Sequence, residues 1–153
     1  MNSKKEKIIS HCEHSINWVN NLENLSENQW RTPIAEGKWT IAEVVGHLIP
    51  WDKYFIERIP YLINESEMSP SPNIEEVNEN ASANSRRRSK EEIIKEFIEV
   101  RENLISKISE LDDDLWEKEF SIGNKTLSLY TDFSRLVEHD ELHFTQINQL
   151  LNE

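Results

Sequence analysis

The chain has 153 residues, of which 37% are hydrophobic, with 29 acidic and 17 basic residues and a formal net charge of −12. This length predicts one compact domain spanning residues 1–153. The negative charge repels phosphate backbones and argues against a nucleic-acid partner, and no apolar run reaches the roughly 18 residues that would indicate a membrane partner. With only three Gly and five Pro, the composition favours an all-α fold.

The first predicted helix covers residues 4–24. Its apolar stripe recurs at helical spacing and comprises Ile8, Ile9, Cys12, Ile16, Val19 and Leu22. Cys12 is the single cysteine, so it cannot form an intramolecular disulfide, and a reducing cytoplasm fits best. His11 and His14 lie three apart among polar neighbours, and we expect both to be exposed rather than to bind metal.

The second helix is predicted to begin at Thr40-Ile-Ala-Glu43, which fits the capping-box pattern. Its apolar stripe continues to Leu62, and His47 falls at the edge of that stripe, roughly 80–100° from its centre. Trp51 and Tyr54 project from the same neighbourhood. We expect this part of the helix to line a cavity, with Trp51 and Tyr54 in its wall.

A long polar connector, residues 64–89, precedes the third helix. We expect a short turn near residues 74–77 and otherwise a crossover, which lets helices two and three run parallel in a bundle. The connector could also fold over the mouth of the cavity. The third helix begins at a second capping box, Ser89-Lys-Glu-Glu92, and is expected to end near Leu111.

The fourth helix is predicted to begin near Thr126 and to run almost to the end of the chain. His139 and His143 lie four residues apart and therefore point to the same face, one turn apart. Asp132 is on the same flank, where it would either orient a ligand imidazole or be solvated. Asp140 falls near the centre of the apolar stripe, so we expect a cation or a histidine N–H as its partner.

Three histidines on two helices predict a divalent metal site. A catalytic zinc ion takes three protein ligands and keeps one open position, and facing helices of a bundle are where such sites are built. His47 would join His139 and His143 as the third ligand. The sequence contains no His-Glu-x-x-His motif, P-loop or Gly-x-Gly-x-x-Gly motif that would indicate another site.

Two segments resemble the DinB/YfiT-like family. Residues 37–48 carry a Trp-Thr helix start followed by His-Leu, and residues 138–147 carry His-x3-His. The resemblance implies a four-helix bundle with up-down-down-up connections, often a homodimer. It also implies that His47, His139 and His143 bind a divalent ion, usually zinc or nickel.

Relatives of this kind include thiol-dependent S-transferases, which use a low-molecular-weight thiol such as bacillithiol or mycothiol as cosubstrate, and metal-dependent hydrolases. We favour the transferase, acting on a small-molecule substrate, because no carboxylate is clearly placed as a base. A hydrolase would need one, and Asp140, Glu138 and Glu43 are the candidates. The remaining alternative is a non-catalytic helical binding module whose histidines hold a structural ion or none.

Overall fold

A computed structural model describes residues 2–66 and 72–152, and four long helices dominate these ranges. In chain order the helices are α1 (Ser3–Asn21), α2 (Glu27–Trp30), α3 (Ile41–Ile63), α4 (Ile74–Arg87), α5 (Lys90–Ser109) and α6 (Leu129–Leu151). An antiparallel hairpin of β1 (Phe120–Ile122) and β2 (Lys125–Leu127) precedes α6. Across the described ranges, no helix has the length and apolar character needed to cross a membrane.

The long helices α1, α3, α5 and α6 form a bundle whose directions follow from two hydrophobic clusters. One cluster joins the end of α1 and the end of α6 to the beginnings of α3 and α5. The other joins the beginnings of α1 and α6 to the ends of α3 and α5. Helices α1 and α6 therefore run one way and α3 and α5 the other. This confirms the predicted up-down-down-up bundle with a crossover between its second and third long helices.

Side-chain caps fix where the long helices begin. The Thr40 hydroxyl accepts from the backbone N–H of Glu43 while the Glu43 carboxylate accepts from that of Thr40, and Ser89 and Glu92 repeat the arrangement. Both predicted capping boxes are confirmed. The start predicted for the last helix is early, because residues 125–127 pair with residues 120–122 as a hairpin and Ser128 is the N-cap.

Helix α4 was not expected from the polar connector. The predicted short turn at 74–77 is wrong, because a 14-residue helix begins there; residues 67–71 of the connector lie outside the described residues. The buried side chains of α4 are Ser82 and Ser85 rather than an apolar stripe. They approach α3 at Gly46, where an added Cβ would lie 1.8 Å from the Ser85 hydroxyl. A helix that docks through small polar side chains carries few large apolar residues, so its sequence resembles that of a polar connector.

Candidate metal centre

The bundle brings the three predicted histidines together. His47 lies on the second turn of α3, and His139 and His143 lie on successive turns of α6, which packs against α3. The Nε2 atom of His139 lies 3.4 Å from that of His47 and 3.2 Å from that of His143. Ligand atoms from all three rings lie within 4.8 Å of one another.

These separations fit a divalent ion. With Zn–N bonds of about 2.0–2.1 Å, two nitrogens on a tetrahedral ion lie about 3.3–3.4 Å apart. The two Nε2 separations from His139, 3.4 and 3.2 Å, lie close to that distance. Three imidazole ligands also leave the fourth position of a tetrahedral ion free, as a catalytic site requires. The donor set and its spacing therefore fit the ion that the sequence predicts.

Hydrogen bonds on the far side of two rings set their tautomers. His47 donates Nδ1–H to the backbone carbonyl of Val44, one turn earlier in α3. His143 donates Nδ1–H to Gln146 Oε1 at 2.9 Å. In each ring the proton on Nδ1 leaves the Nε2 lone pair free and directed to the point where the three rings converge. Such partners orient ligand imidazoles and raise their basicity.

The electrostatics of the site keep the three rings neutral. Burial, helped by repulsion from His143, lowers the pKa of His47 to about 3. Burial also lowers the pKa values of His139 and His143 below the ordinary value for histidine. Because a histidine binds metal only as the neutral imidazole, the rings are ready to coordinate an ion without first losing a proton.

A cavity of about 610 Å³ opens beside His143. Its walls come from the 31–40 connector and the end of α6, and the lining residues are Ile34, Ala35, Gly37, Lys38, Trp39, His143, Gln146, Gln149 and Leu150. The Trp39 ring also contacts the His47 ring, with 4.8 Å between centroids. Its volume falls within the range of roughly 300–1,000 Å³ that is usual for small-molecule sites, and His143 forms part of its wall.

The residues predicted to line the cavity lie elsewhere. Trp51 donates to Asn78 Oδ1 at 2.8 Å and thereby joins α3 to α4. The Tyr54 hydroxyl accepts from Arg58 at 2.9 Å. Helix α4, which replaces much of the predicted connector, borders a separate cavity of about 470 Å³ with α3 and α5. Trp51, Tyr54 and the described part of the connector are thus not among the residues that line the cavity beside His143, and their role in a substrate pocket stays a prediction.

Asp140 has both kinds of partner that its position in the apolar stripe predicted. The buried Arg101 guanidinium donates to its carboxylate at 2.6 and 3.2 Å, and His11 Nε2 lies 2.8 Å from it. Burial acts to raise the pKa of Asp140, but the charge of Arg101 and the hydrogen bonds from His11 and Arg101 together outweigh burial and lower it. His11 is only 16% exposed, so the expectation that it is exposed is wrong; His14 is exposed as predicted.

Asp132 does not orient a ligand imidazole. Its buried carboxylate accepts two hydrogen bonds from Arg58, at 2.9 and 3.3 Å. The alternative expectation, a solvated side chain, is equally wrong, because Asp132 is only 3% exposed. Asp132 lies on the predicted flank of α6, but its carboxylate binds Arg58, two turns beyond Trp51 on α3, instead of a ligand histidine.

The carboxylates considered as general bases are also accounted for. Burial acts to raise the pKa of Glu43, but hydrogen bonds from Ser82 and Thr40 outweigh it and lower the pKa. Arg86 also donates to this carboxylate, at 3.1 Å. Glu138 is exposed. Asp140 is bound by Arg101 and His11. Of the three candidate bases, Glu43 and Asp140 therefore already have other partners, and Glu138 is exposed to solvent.

Two features of the site were missed in the sequence. Gln146 follows His143 by three residues, a spacing that places the two side chains together on a helix, so the pair could have been found. Arg101 follows Phe97 by four residues and so interrupts the apolar stripe of α5 at a core position. Its buried partners on α3 and α6 carry no such local signal.

Comparison with known proteins supports the architecture. The family model of the DinB superfamily matches residues 17–147. No curated protein matches the sequence. Among solved structures, YfiT from Bacillus subtilis, described as a probable metal-dependent hydrolase with an unusual four-helix bundle topology, aligns with a TM-score of 0.77 at 18% identity, covering 98% of this chain and 87% of that one.

Two further structures share the fold. A protein from Streptococcus pneumoniae aligns with a TM-score of 0.75 at 15% identity and covers 97% of this chain and 91% of its own. A mycothiol-dependent maleylpyruvate isomerase aligns with a TM-score of 0.70 at 13% identity over 94% of this chain, which spans 60% of that longer protein. With the family model matching most of its length, the chain belongs to the DinB superfamily.

Proposed function

We propose that this protein is a metal-dependent enzyme that joins a low-molecular-weight thiol, such as bacillithiol, to a small electrophile. The observation that carries the proposal is the convergence of three neutral imidazoles, one of which, His143, lines a 610 Å³ cavity. When bound there, a zinc or nickel ion would lower the pKa of a thiol or water at its open position.

The chain's own residues supply binding and orientation. His47, His139 and His143 would hold the ion, and Trp39, Ile34 and Leu150 give the cavity an apolar side against which a substrate can pack. In the reaction the thiol sulfur forms a bond to an electrophilic carbon, the thiol proton passes to solvent, and the leaving group departs with its electron pair. None of these events needs a carboxylate base from the protein.

The state of the carboxylates favours the transferase over a hydrolase. Activation of water by general-base catalysis needs a side chain within hydrogen-bond reach of that water. Glu43 and Asp140 are held by other partners, and Glu138 is exposed. The likeness to a mycothiol-dependent isomerase supports the use of a low-molecular-weight thiol as cosubstrate. The likeness to YfiT is the reason to keep hydrolysis as the second candidate.

Metal binding is the first test. We expect the isolated protein to contain about one zinc or nickel ion per chain, and added Zn²⁺ at 100 times its Kd to raise the Tm of the apo protein by about 5–10 °C. His47→Ala should abolish both effects. His14→Ala, which removes an exposed histidine, is the matched control and should change neither. The enzyme proposal would be refuted if the isolated protein contained no zinc or nickel and neither ion raised the Tm of the apo protein.

The reaction class is the second test. Metal-loaded protein is given bacillithiol with monochlorobimane, and separately p-nitrophenyl acetate without a thiol. We expect conjugation that depends on both thiol and metal and is lost in His47→Ala. Ester hydrolysis without thiol, in the absence of conjugation, would favour the hydrolase instead.

Two predictions accompany this function. The first is a cytoplasmic location, which suits a reduced thiol cosubstrate and the lone Cys12. Localisation of a tagged protein tests this prediction. The homodimer implied by the family resemblance stays a prediction that light scattering of the purified protein tests.

A further inference from the structure

Gln146 joins the three-histidine site to the cavity. Its side-chain oxygen accepts the Nδ1–H of His143 at 2.9 Å, and the same residue forms part of the cavity wall. Among the described residues, this is the hydrogen bond that ties the far side of the His143 ring. Gln146 is therefore the protein group best placed to decide how His143 presents Nε2.

His143 needs such a partner more than His47 does. His47 is 1% exposed and donates to the carbonyl of its own helix, so packing and backbone together hold its ring. His143 is only partly buried and borders the cavity. A ring at a solvent-filled boundary can rotate, and it can carry its proton on either nitrogen. An acceptor at Nδ1 removes both freedoms, since it selects one tautomer and one orientation.

We propose that Gln146 is a positioning residue, which fixes the tautomer and orientation of His143 and thereby sets the affinity and geometry of the metal site. The inference rests on the proposed function to the extent that the three histidines bind an ion. It assigns a role to a side chain outside the ligand set.

A set of three variants isolates this role. Gln146→Met keeps the length of the side chain and removes the acceptor. Gln146→Glu keeps an acceptor oxygen and should restore the function of the bond. Gln149→Met is the matched control, because Gln149 lines the same cavity one turn later but, within the described part of the chain, makes no hydrogen bond to a histidine.

The measurement is Zn²⁺ affinity by chelator competition, together with the visible spectrum of the Co²⁺-loaded protein and the Tm of the apo protein. Gln146→Met should lose about 10–100-fold in Zn²⁺ affinity and shift the Co²⁺ bands. Its apo Tm should match that of the parent. Gln146→Glu should bind Zn²⁺ at least as tightly as the parent, and Gln149→Met should stay within about threefold.

Each outcome decides the question. If the parent binds Zn²⁺ and Gln146→Met binds it equally well with an unchanged Co²⁺ spectrum, the positioning role is refuted and the proposed function stands. Equal losses in Gln146→Met and Gln149→Met would also refute it, because they would show an effect of the cavity as a whole. If the parent binds neither metal, both the inference and the proposed function fail.

Discussion

Replacing Arg101 with Met should destabilise the protein more than any exposed substitution on the same helix. The Arg101 side chain is fully buried and donates five hydrogen bonds. Two go to Asp52 at 2.7 and 2.9 Å, two to Asp140 at 2.6 and 3.2 Å, and one to the Ser15 hydroxyl at 2.8 Å. The guanidinium of Arg101, on α5, therefore forms hydrogen bonds to residues of α1, α3 and α6. A methionine side chain can fill a similar volume, but it can form none of these hydrogen bonds.

The expected loss of stability follows from the two buried carboxylates that remain in the variant. Asp52 is 2% and Asp140 is 1% exposed, so the variant holds two carboxylates in the core without their shared cation. Removing one partner of a buried pair costs about 3–5 kcal/mol. Because a domain of this kind is stable by only about 5–15 kcal/mol, we expect Arg101→Met to lose about a fifth or more of its free energy of unfolding.

The loss should depend on pH with a defined sign. Burial raises the pKa of Asp52 to about 6, although the charge of Arg101 acts to lower it. Asp140, His11 and Cys12 are further titratable groups close to Arg101 and Asp52. A carboxyl whose pKa is higher in the folded than in the unfolded state penalises folding once it ionises, and the penalty disappears as the pH falls towards its unfolded value near 4. Without Arg101 that penalty grows, so the deficit should be larger at pH 8 than at pH 5.

Urea unfolding of the apo proteins at pH 5 and pH 8, followed by tryptophan fluorescence, measures both effects. Lys107→Met is the matched control, since Lys107 lies on the exposed face of α5 and should change stability by no more than about 0.5 kcal/mol. A loss below about 1 kcal/mol in Arg101→Met, or a deficit that grows as the pH falls, would refute the reasoning.

Two further substitutions test how α3 is held. Gly46→Ala gains about 1 kcal/mol of helix propensity, yet its Cβ would lie 1.8 Å from the Ser85 hydroxyl. We therefore expect a net loss of about 1–3 kcal/mol from overpacking, smaller in a Ser85→Ala background; an increase in stability by thermal unfolding would contradict the docking of α4. Arg58→Leu leaves the buried Asp132 without its two strongest donors and should cost about 2–3 kcal/mol. Arg135→Leu, whose exposed side chain lies 3.9 Å from the same carboxylate, should cost less than about 1 kcal/mol in the same assay, and equal losses would contradict the assignment.

The starts of two helices, the four long helices and the side chains that share a helix face could be predicted from short stretches of the sequence. The capping boxes at Thr40 and Ser89 involve residues three apart, so they are visible without a fold. The apolar stripes gave the four long helices, because a helix face repeats every 3.6 residues. The same periodicity placed His139 and His143 on one face. What the sequence determined by itself is therefore the set of helices and which side chains each helix presents.

The tertiary structure decided which of those side chains meet. Helix α4 buries two serines rather than an apolar stripe, and it packs closely against α3 where Gly46 leaves room for the small side chain of Ser85. Asp132 pairs with Arg58, and the cavity at His143 is walled by the connector before α3 rather than by the one after it. Such choices depend on the distances between helices far apart in the chain, and a buried charge like Arg101 becomes stable only once its carboxylate partners from α3 and α6 are in place.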